Sequence, residues 1–594
     1  MNQPQRPQFD MKNMIMAVVL SMLIVFGWQY YYAGPAAKRA QEQAAAQQQT
    51  AQTAQIATNG AEAMKDRATL IAATKRVKIS TPELTGSINL TGAQLDDLEL
   101  TKYHETIDNS SPMVSLLSPS GAPNAFFVEQ GFVPKPGSNV KVPDSKTEWQ
   151  AEGDPTLTDT KPVTLTWDNG EGLKFSREIS ISDNYLFSIK QTVTNSGTAP
   201  VDLIPYGRAQ RQDTPHIAGY WVFYEGPLGV QNGGLEEHKY AALKKEPDVP
   251  ATIPPSKGGW LGFTDKYWAA MLVPDQQSTY TASYRFVKVP GRDAYQTDFL
   301  GTTPLTVPAG GSATYEDHVY AGAKVVSILN AIYDKYKFER FDLMIDWGWF
   351  APITKAMFYL LSYVHSVVGN FGIAILLVTV LVKLAVFPLA NKSYASMSKM
   401  KNLKPQMDAI KAKYPDDRVK QQQETMALYK EQKVNPMAGC LPIFVQIPIF
   451  FSLYKVILTT IELRHAPFFG WVHDLSAPDP TSLFNLFGLI PWSPPHALMI
   501  GAWPILMGIT MWVQMRLNPT PPDPIQAQMF NWMPVIFTYS LGSFPVGLVI
   551  YWAWSNFLSI VQQSYIMKKH GTELNILGNI RESLPFAKKK PAGT

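Results

Sequence analysis

Lys383 stands near the middle of the apolar run AILLVTVLVKLAVFPLANK, Ala374 to Lys392. A cation in such a run costs roughly 2.5–3.5 kcal/mol on membrane-insertion scales, so its position asks for a chemical role. Three remedies are open to it: reaching the interface, pairing with a carboxylate, or facing water. Asn391 lies eight residues on, ~12 Å along a helix. A helical side chain also leans toward its own N-terminus, here away from that boundary, so snorkelling is disfavoured. Asp and Glu are absent from the apolar cores, and Glu462 sits only at the outer end of one. What remains is a hydrated cavity between helices, or a neutral or unusually snorkelled lysine.

Other polar side chains within apolar segments are candidates for the same lining. Thr379 lies one turn before Lys383 on the same helical face, and Gln446, Gln514, Ser555, Asn556, Ser559 and Gln562 lie in other segments. Singly, such groups are commonly interhelical hydrogen bonds; with a lysine among them they describe a polar interior. Met507, Met511 and Met515 recur every four residues, with Met499 two turns earlier. Ordinary packing accounts for that stripe, and it also offers an adaptable apolar wall for partners of varied shape. Pro388 removes a helix hydrogen bond and is expected to widen the inner mouth. The chemistry of this set is transient, non-covalent capture of a hydrophobic segment with a charged end, so no catalytic residue is assigned.

Composition narrows the classes further. The 594 residues carry a net charge of +4, which indicates no global field for nucleic acid. Cys440 is the single cysteine, so an intramolecular disulfide and a cysteine zinc cluster are excluded. His216, His238 and His318 have no metal-ligand spacing, and no Walker-type loop points to ATP. No cofactor is expected.

The elements that must position Lys383 are six segments long and apolar enough, or nearly so, to cross a bilayer: residues 13–33, 369–390, 438–461, 498–517, 529–545 and 547–567. GSFPVG, Gly542 to Gly547, breaks the last two into a tight hairpin. Lysine and arginine set the orientation. They crowd residues 391–435, with Lys399, Lys401, Lys404, Lys411 and Lys413 among them, and the tail 568–594, whereas 462–497 has Arg464 alone. The basic loop and tail are therefore expected in the cytoplasm, with residues 1–12 and the short loop 518–528. Residues 34–368 and 462–497 are expected outside.

The external part opens with an Ala/Gln-rich linker over 34–76 that has no face to bury. Residues 77–325 alternate with period two and read as an all-β sandwich. In it, VTLTWDNGEGLKFSREISI carries a D-N-G turn between two such runs, and LFSIKQTVTNSGTAPVDLIPYG repeats the theme with N-S-G. Residues 326–368 hold connecting and amphipathic helices, of which Phe341 to Val367 is expected to lie on the outer interface. Within 391–435, Met397, Met400, Met407, Ile410 and Tyr414 recur at helical spacing. Val419, Met426 and Tyr429 come after YPDD, where Asp416 or Asp417 is placed to cap a second helix. That is an antiparallel helical hairpin with basic faces. The fold class is a multi-domain membrane protein: a β sandwich plus an α-helical polytopic core.

LVKLAVFPLANKSYASMSKMKNLKPQM, MALYKEQKVNPMAGCLPIFVQIPIFFSLYKV, APFFGWVHDLSAPDP and MFNWMPVIFTYSLGSFPVGLVIYWAWSN strongly resemble the YidC family of bacterial membrane protein insertases. The order of elements resembles it too, and the large external domain implies a Gram-negative member. The resemblance implies insertion and folding of inner-membrane proteins, alone or with the Sec translocon and its accessory subunits. Nascent membrane proteins are the implied clients, the ribosome an implied partner of the basic hairpin and tail, and the lipid bilayer the setting. It places Lys383 at the position of a groove cation that is arginine in many members, Thr379 at a groove position, and Ile447 and Phe450 on the client path. Trp552 stands where a tyrosine is often found. Two other classes fit the residues alone: a secondary transporter of an anionic solute, and a membrane-anchored sugar-binding protein.

Overall fold

The computed structural model describes residues 64–569 apart from 154, 216–222, 247–250, 290, 416, 433, 435–440, 493, 496–498 and 519–523. The segment 13–33, most of the linker, His216 and the basic tail beyond Lys569 lie outside the described residues.

Alternating patterning builds the first half. Along Leu173–Ser182 every second side chain is buried, as in a strand with one face on a core. Among the described residues the strands assemble into an eleven-stranded and a nine-stranded sheet. Phe126 on the larger meets Phe263 on the smaller edge to face, with ring centroids 5.5 Å apart. The D-N-G segment closes the hairpin between Val163–Asp168 and Leu173–Ser182, with Asp168 opposite Lys174 and Gly170 at φ +73°. Asn169 Oδ1 fixes the turn by accepting the Glu171 N–H at 2.8 Å.

The N-S-G segment behaves differently from its pattern, which predicts a second hairpin. Leu186–Asn195 pairs with Leu173–Ser182 and Ser312–Ala323 in the smaller sheet, whereas Val201–Gln212 lies in the larger. Both edges of the first strand are already taken, so the chain must cross between layers. Asn195 Nδ2 holds the crossing by donating to Ala199 O at 2.8 Å. His238 and His318 are packed against rings: His238 stacks on Tyr284 at 4.2 Å, and His318 contacts Tyr336 and Phe338.

After the last strand the period changes from two to 3.6. The helices are α1 Val326–Tyr336, α2 Ala351–Val368, α3 Phe371–Ala385, α4 Phe387–Asn402, α5 Lys404–Lys413, α6 Arg418–Glu431, α7 Leu441–Thr459, α8 Ala502–Leu517, α9 Pro524–Leu541 and α10 Val546–Lys569. α2 buries Thr354, Met357, Phe358 and Leu361, one stripe of an amphipathic helix. It starts ten residues later than the expected start at Phe341. Gly348 adopts φ +71°, a left-handed conformation suited to glycine, and donates its N–H to Asp346 Oδ1 at 2.9 Å, so the chain turns there.

The segment 369–390, expected as one crossing, is two helices. α3 and α4 are bent by 67° at Val386. Pro388 lies in the first turn of α4, where its missing N–H costs nothing. Had α3 continued, the same ring would strike the carbonyl one turn back. Among the described residues no single helix is long and apolar enough to cross a membrane, while α3 and α4 together have the length and composition.

One buried apolar cluster runs from the sandwich through Phe341, Trp347 and Phe358 to Leu453, Val456 and Ile457 of α7. Polar contacts reinforce this junction. Lys455 pairs with Asp346 at 2.7 Å, Glu462 Oε1 accepts the Val326 N–H at 3.2 Å, and Arg464 donates to His104 O at 2.6 Å.

Candidate functional site

α3 starts at Asn370, whose side chain accepts the Ile373 N–H at 3.0 Å, and ends at the bend after Ala385. Lys383 thus occupies its last turn, where the negative end of the helix dipole favours a cation. The ammonium donates to Ser559 Oγ of α10 at 2.8 Å. Ser559 Oγ in turn donates to Ser555 O at 2.8 Å. Among the described residues Lys383 has no carboxylate at ion-pair distance. Its partner is a neutral hydroxyl, which a search for acids does not reach.

Two polar stripes run along α10. Ser555 and Ser559 lie one turn apart, and Ser559 faces α3. Asn556 and Gln563 turn toward α8: Asn556 Nδ2 donates to Thr510 Oγ1 at 3.4 Å, and Gln563 Nε2 to Asn518 Oδ1 at 2.9 Å. Trp554 Nε1 donates to Leu376 O at 3.1 Å and ties α10 to α3. Thr379 does not join the seam through solvent-facing surface. It is buried, and its hydroxyl donates to Ile375 O at 2.6 Å within its own helix.

Beside the lysine seam lies an aromatic wall. Gln446 of α7 donates to the Tyr551 hydroxyl of α10. Phe450 meets Trp552 with ring centroids 4.6 Å apart, and Trp552 meets Phe537 of α9 at 5.9 Å. Ile447 is 41% exposed, one turn before the half-buried Phe450. The methionine stripe divides. Met507 is wholly buried against Leu541, Val549 and Ala553 and serves packing, whereas Met511, Met515 and Gln514 are half-buried on α8.

The basic residues lie on α4 and α5. Lys399 is exposed and Lys401 half-buried on α4. On α5, Lys411 is half-buried and Lys413 exposed, with its ammonium 5.3 Å over the Tyr414 ring. Lys404 opens α5, and its side chain lies outside the described residues. Leu403, Tyr429 and Val434 bury one another, with Met400 and Met407 against them, and hold α5 to α6. Asp417 caps α6 by accepting the Lys420 N–H at 2.9 Å.

Ser559, Tyr551, Thr510 and Gln563 supply most of this polar network, and sequence reading singled out only the first as a polar group. The signal present was spacing: residues 551, 555 and 559 recur every fourth position. Among the described residues no group of three or more His, Cys, Asp or Glu is placed to hold a metal ion.

Residues 76–360 match the family model described as the YidC periplasmic domain, and residues 363–573 match that of the 60Kd inner membrane protein. The chain is 50% identical over 608 residues to the membrane protein insertase YidC of Mesorhizobium japonicum, covering 98% of this chain and 99% of that one. Its identity to the same-named protein of Bradyrhizobium diazoefficiens is 49% over 618 residues, with the same two coverages. A solved structure of an active YidC insertase aligns over 82% of this chain and 92% of that chain, at 18% identity and a TM-score of 0.34.

Proposed function

Because the chain belongs to the YidC family of membrane protein insertases, we propose that it inserts and folds inner-membrane proteins along the seam between α3, α7 and α10. The activity is insertion rather than enzymatic turnover. The observation that carries this reading is Lys383: a cation held by a serine hydroxyl, with no carboxylate among the described residues to cancel it, at the end of a helix that breaks.

Lys383 transiently attracts acidic residues in a client's polar end, and the surroundings of Lys383 shorten the dry distance that end must cross. The client's apolar segment meanwhile slides along Ile447, Phe450 and Trp552 toward lipid, with Met511 and Met515 as the yielding part of the wall. The membrane potential, positive outside, draws negative charge outward with about 2.3 kcal/mol per charge per 100 mV.

The arrangement in the membrane belongs to the same proposal. The sandwich over 77–325, the helices of 326–368 and the loop 462–497 lie on the periplasmic side. The hairpin 391–435, the loop 518–528 and both termini lie in the cytoplasm, following the positive-inside rule. The crossings follow the apolar sequence segments 13–33, 369–390 (the bent pair α3 and α4), 438–461, 498–517, 529–545 and 547–567. Lys399, Lys401, Lys404, Lys411 and Lys413 then face the cytoplasm, where they suit the ribosome and the nascent chain. The Sec translocon and its accessory subunits are further partners.

Site-specific photocrosslinking tests this. A photoreactive residue at 383, 447, 450 or 552 is expected to capture a small membrane protein during its translation, and one at Thr192 on the sandwich is not. Capture at Thr192 alone, or at no position, sinks the proposal. Deleting residues 80–320 is expected to leave insertion in place, which assigns the activity to the helices.

A further inference from the structure

We propose that residues 483–492 form an apolar knob that docks into the outer leaflet of the lipid bilayer beside the start of α8. This rests on the periplasmic placement of 462–497 argued above. Seven large apolar side chains in this ten-residue stretch are exposed: Leu483 45%, Phe484 44%, Leu486 51%, Phe487 48%, Leu489 83%, Ile490 43% and Trp492 47%. Apolar exposure this dense marks an interaction surface rather than ordinary surface.

Charge identifies the occupant. From Pro480 to Met515 there is no Asp, Glu, Lys or Arg, so the uncharged stretch runs unbroken from the knob into α8. A protein-binding surface of this kind is normally rimmed by polar and charged groups, whereas charge is kept out of a segment that inserts among acyl chains because of its cost there.

Part of the backbone meets the other requirement of lipid, which is that its polar groups be satisfied from within. Phe487 N–H donates to Ser482 O at 2.7 Å, Ile490 N–H to Asn485 O at 3.1 Å and Leu489 N–H to Leu486 O at 3.3 Å. Asn485 Nδ2 donates to Trp492 O at 3.3 Å. Leu486 and Phe487 both take left-handed conformations, rare for residues with side chains, and so turn their side chains outward.

The knob is also clamped at a fixed place. The buried Asp479 carboxylate accepts from Thr481 N–H at 3.0 Å, Thr481 Oγ1 at 2.7 Å, Trp471 Nε1 at 3.1 Å and Trp503 N–H at 2.9 Å, the last in the first turn of α8. Thr481 Oγ1 accepts the Ala502 N–H at 3.0 Å, and Leu483 N–H donates to Ile500 O at 2.9 Å. Gly501 is required here, since a Cβ would lie 2.4 Å from Asp479 Cγ. The knob therefore sets the depth of α8 in the bilayer.

The test uses the full chain with Cys440→Ser and Leu489→Cys, an environment-sensitive fluorophore on the new thiol, and phosphatidylcholine vesicles. Nitroxide phospholipids labelled near the headgroup are expected to quench the probe at least about twice as strongly as those labelled at the chain end. Iodide on both sides is expected to quench it far less than the same probe at Glu316→Cys on the sandwich. Because no charge is involved, the quenching is expected to be unchanged by salt or by anionic lipid. Iodide quenching equal to the Glu316 probe overturns the proposal by placing the knob in water. A probe reached by neither quencher also overturns it, with residues 1–63 or a second copy covering the surface. The same vesicles are assayed for client insertion. Full insertion without lipid quenching overturns the knob alone, and lipid quenching without insertion upholds the knob while overturning the functional reading.

Discussion

Replacing Lys383 with leucine is expected to make the protein more stable and less able to insert clients. A lysine at the centre of a membrane helix costs ~2.5–3.5 kcal/mol, an upper bound for Lys383 in the last turn of α3, and the charge-assisted bond to Ser559 returns ~1.5 kcal/mol of it. The net burden is then at most ~1–2 kcal/mol. Leucine removes it without leaving Ser559 stranded, because that hydroxyl already donates to Ser555 O. Thermal unfolding in detergent is expected to shift upward by about 1–2 °C. The functional loss runs the other way. A carboxylate ~4 Å from Lys383 at an effective dielectric of ~20 gains up to ~4 kcal/mol, and water admitted with the client reduces this to ~1.5 kcal/mol. Losing that much slows insertion of an acidic-tailed client about tenfold. Lys383→Arg, which keeps the charge, is expected to insert clients and to show no such gain in stability. A leucine variant that unfolds earlier and inserts at the native rate refutes the reasoning, since Lys383 is then a structural group.

Phe450→Ala opens the stack between α7 and α10, where its ring lies 4.6 Å from Trp552. It is expected to cost ~2 kcal/mol in unfolding experiments and to abolish crosslinks from position 447 to the client. Asp417→Ala removes the cap of α6 at a cost of ~1 kcal/mol, read as faster amide exchange at residues 418–421 with the sandwich amides unchanged. Burial against Tyr336 and Phe338 pushes the His318 imidazole down to about 4, despite Glu316 at 3.8 Å and the nearby Asp275. Its folded value is depressed below the ordinary 6.5, so the stability it contributes is complete above pH 6.5 and is lost as the pH falls through 4. That loss totals ~3 kcal/mol, and His318→Gln is expected to flatten this part of the stability-versus-pH curve, measured by denaturant unfolding.

The sandwich was legible because period-two patterning and a D-N-G turn are local signals, and both act at 163–182. The N-S-G segment misled for a non-local reason. Whether Leu186–Asn195 pairs with the next strand in the chain depends on which strands already hold its edges, and the strand at 312–323 lies far along the sequence. Pro388 marked a disturbance near Lys383, but sequence does not tell a kink from the 67° bend found. Gly348 in IDWGWF carried the matching signal for the late start of α2. At the site, the lysine and the aromatic residues could be named from type and position. Their pairing with Ser559 and Tyr551 could not, because a hydroxyl contact between distant helices leaves no mark in either segment.

The unbroken core between sandwich and helices has a mechanical consequence. Phe341, Trp347 and the Asp346–Lys455 pair weld the base of the β domain to α7, and α7 also carries Gln446, Ile447 and Phe450. A pull on the sandwich is therefore delivered first to the part of α7 that carries Lys455, and Pro448 stands between that part and Gln446 and Ile447. A load on the β domain would thus meet a joint before it reached Gln446 and Ile447.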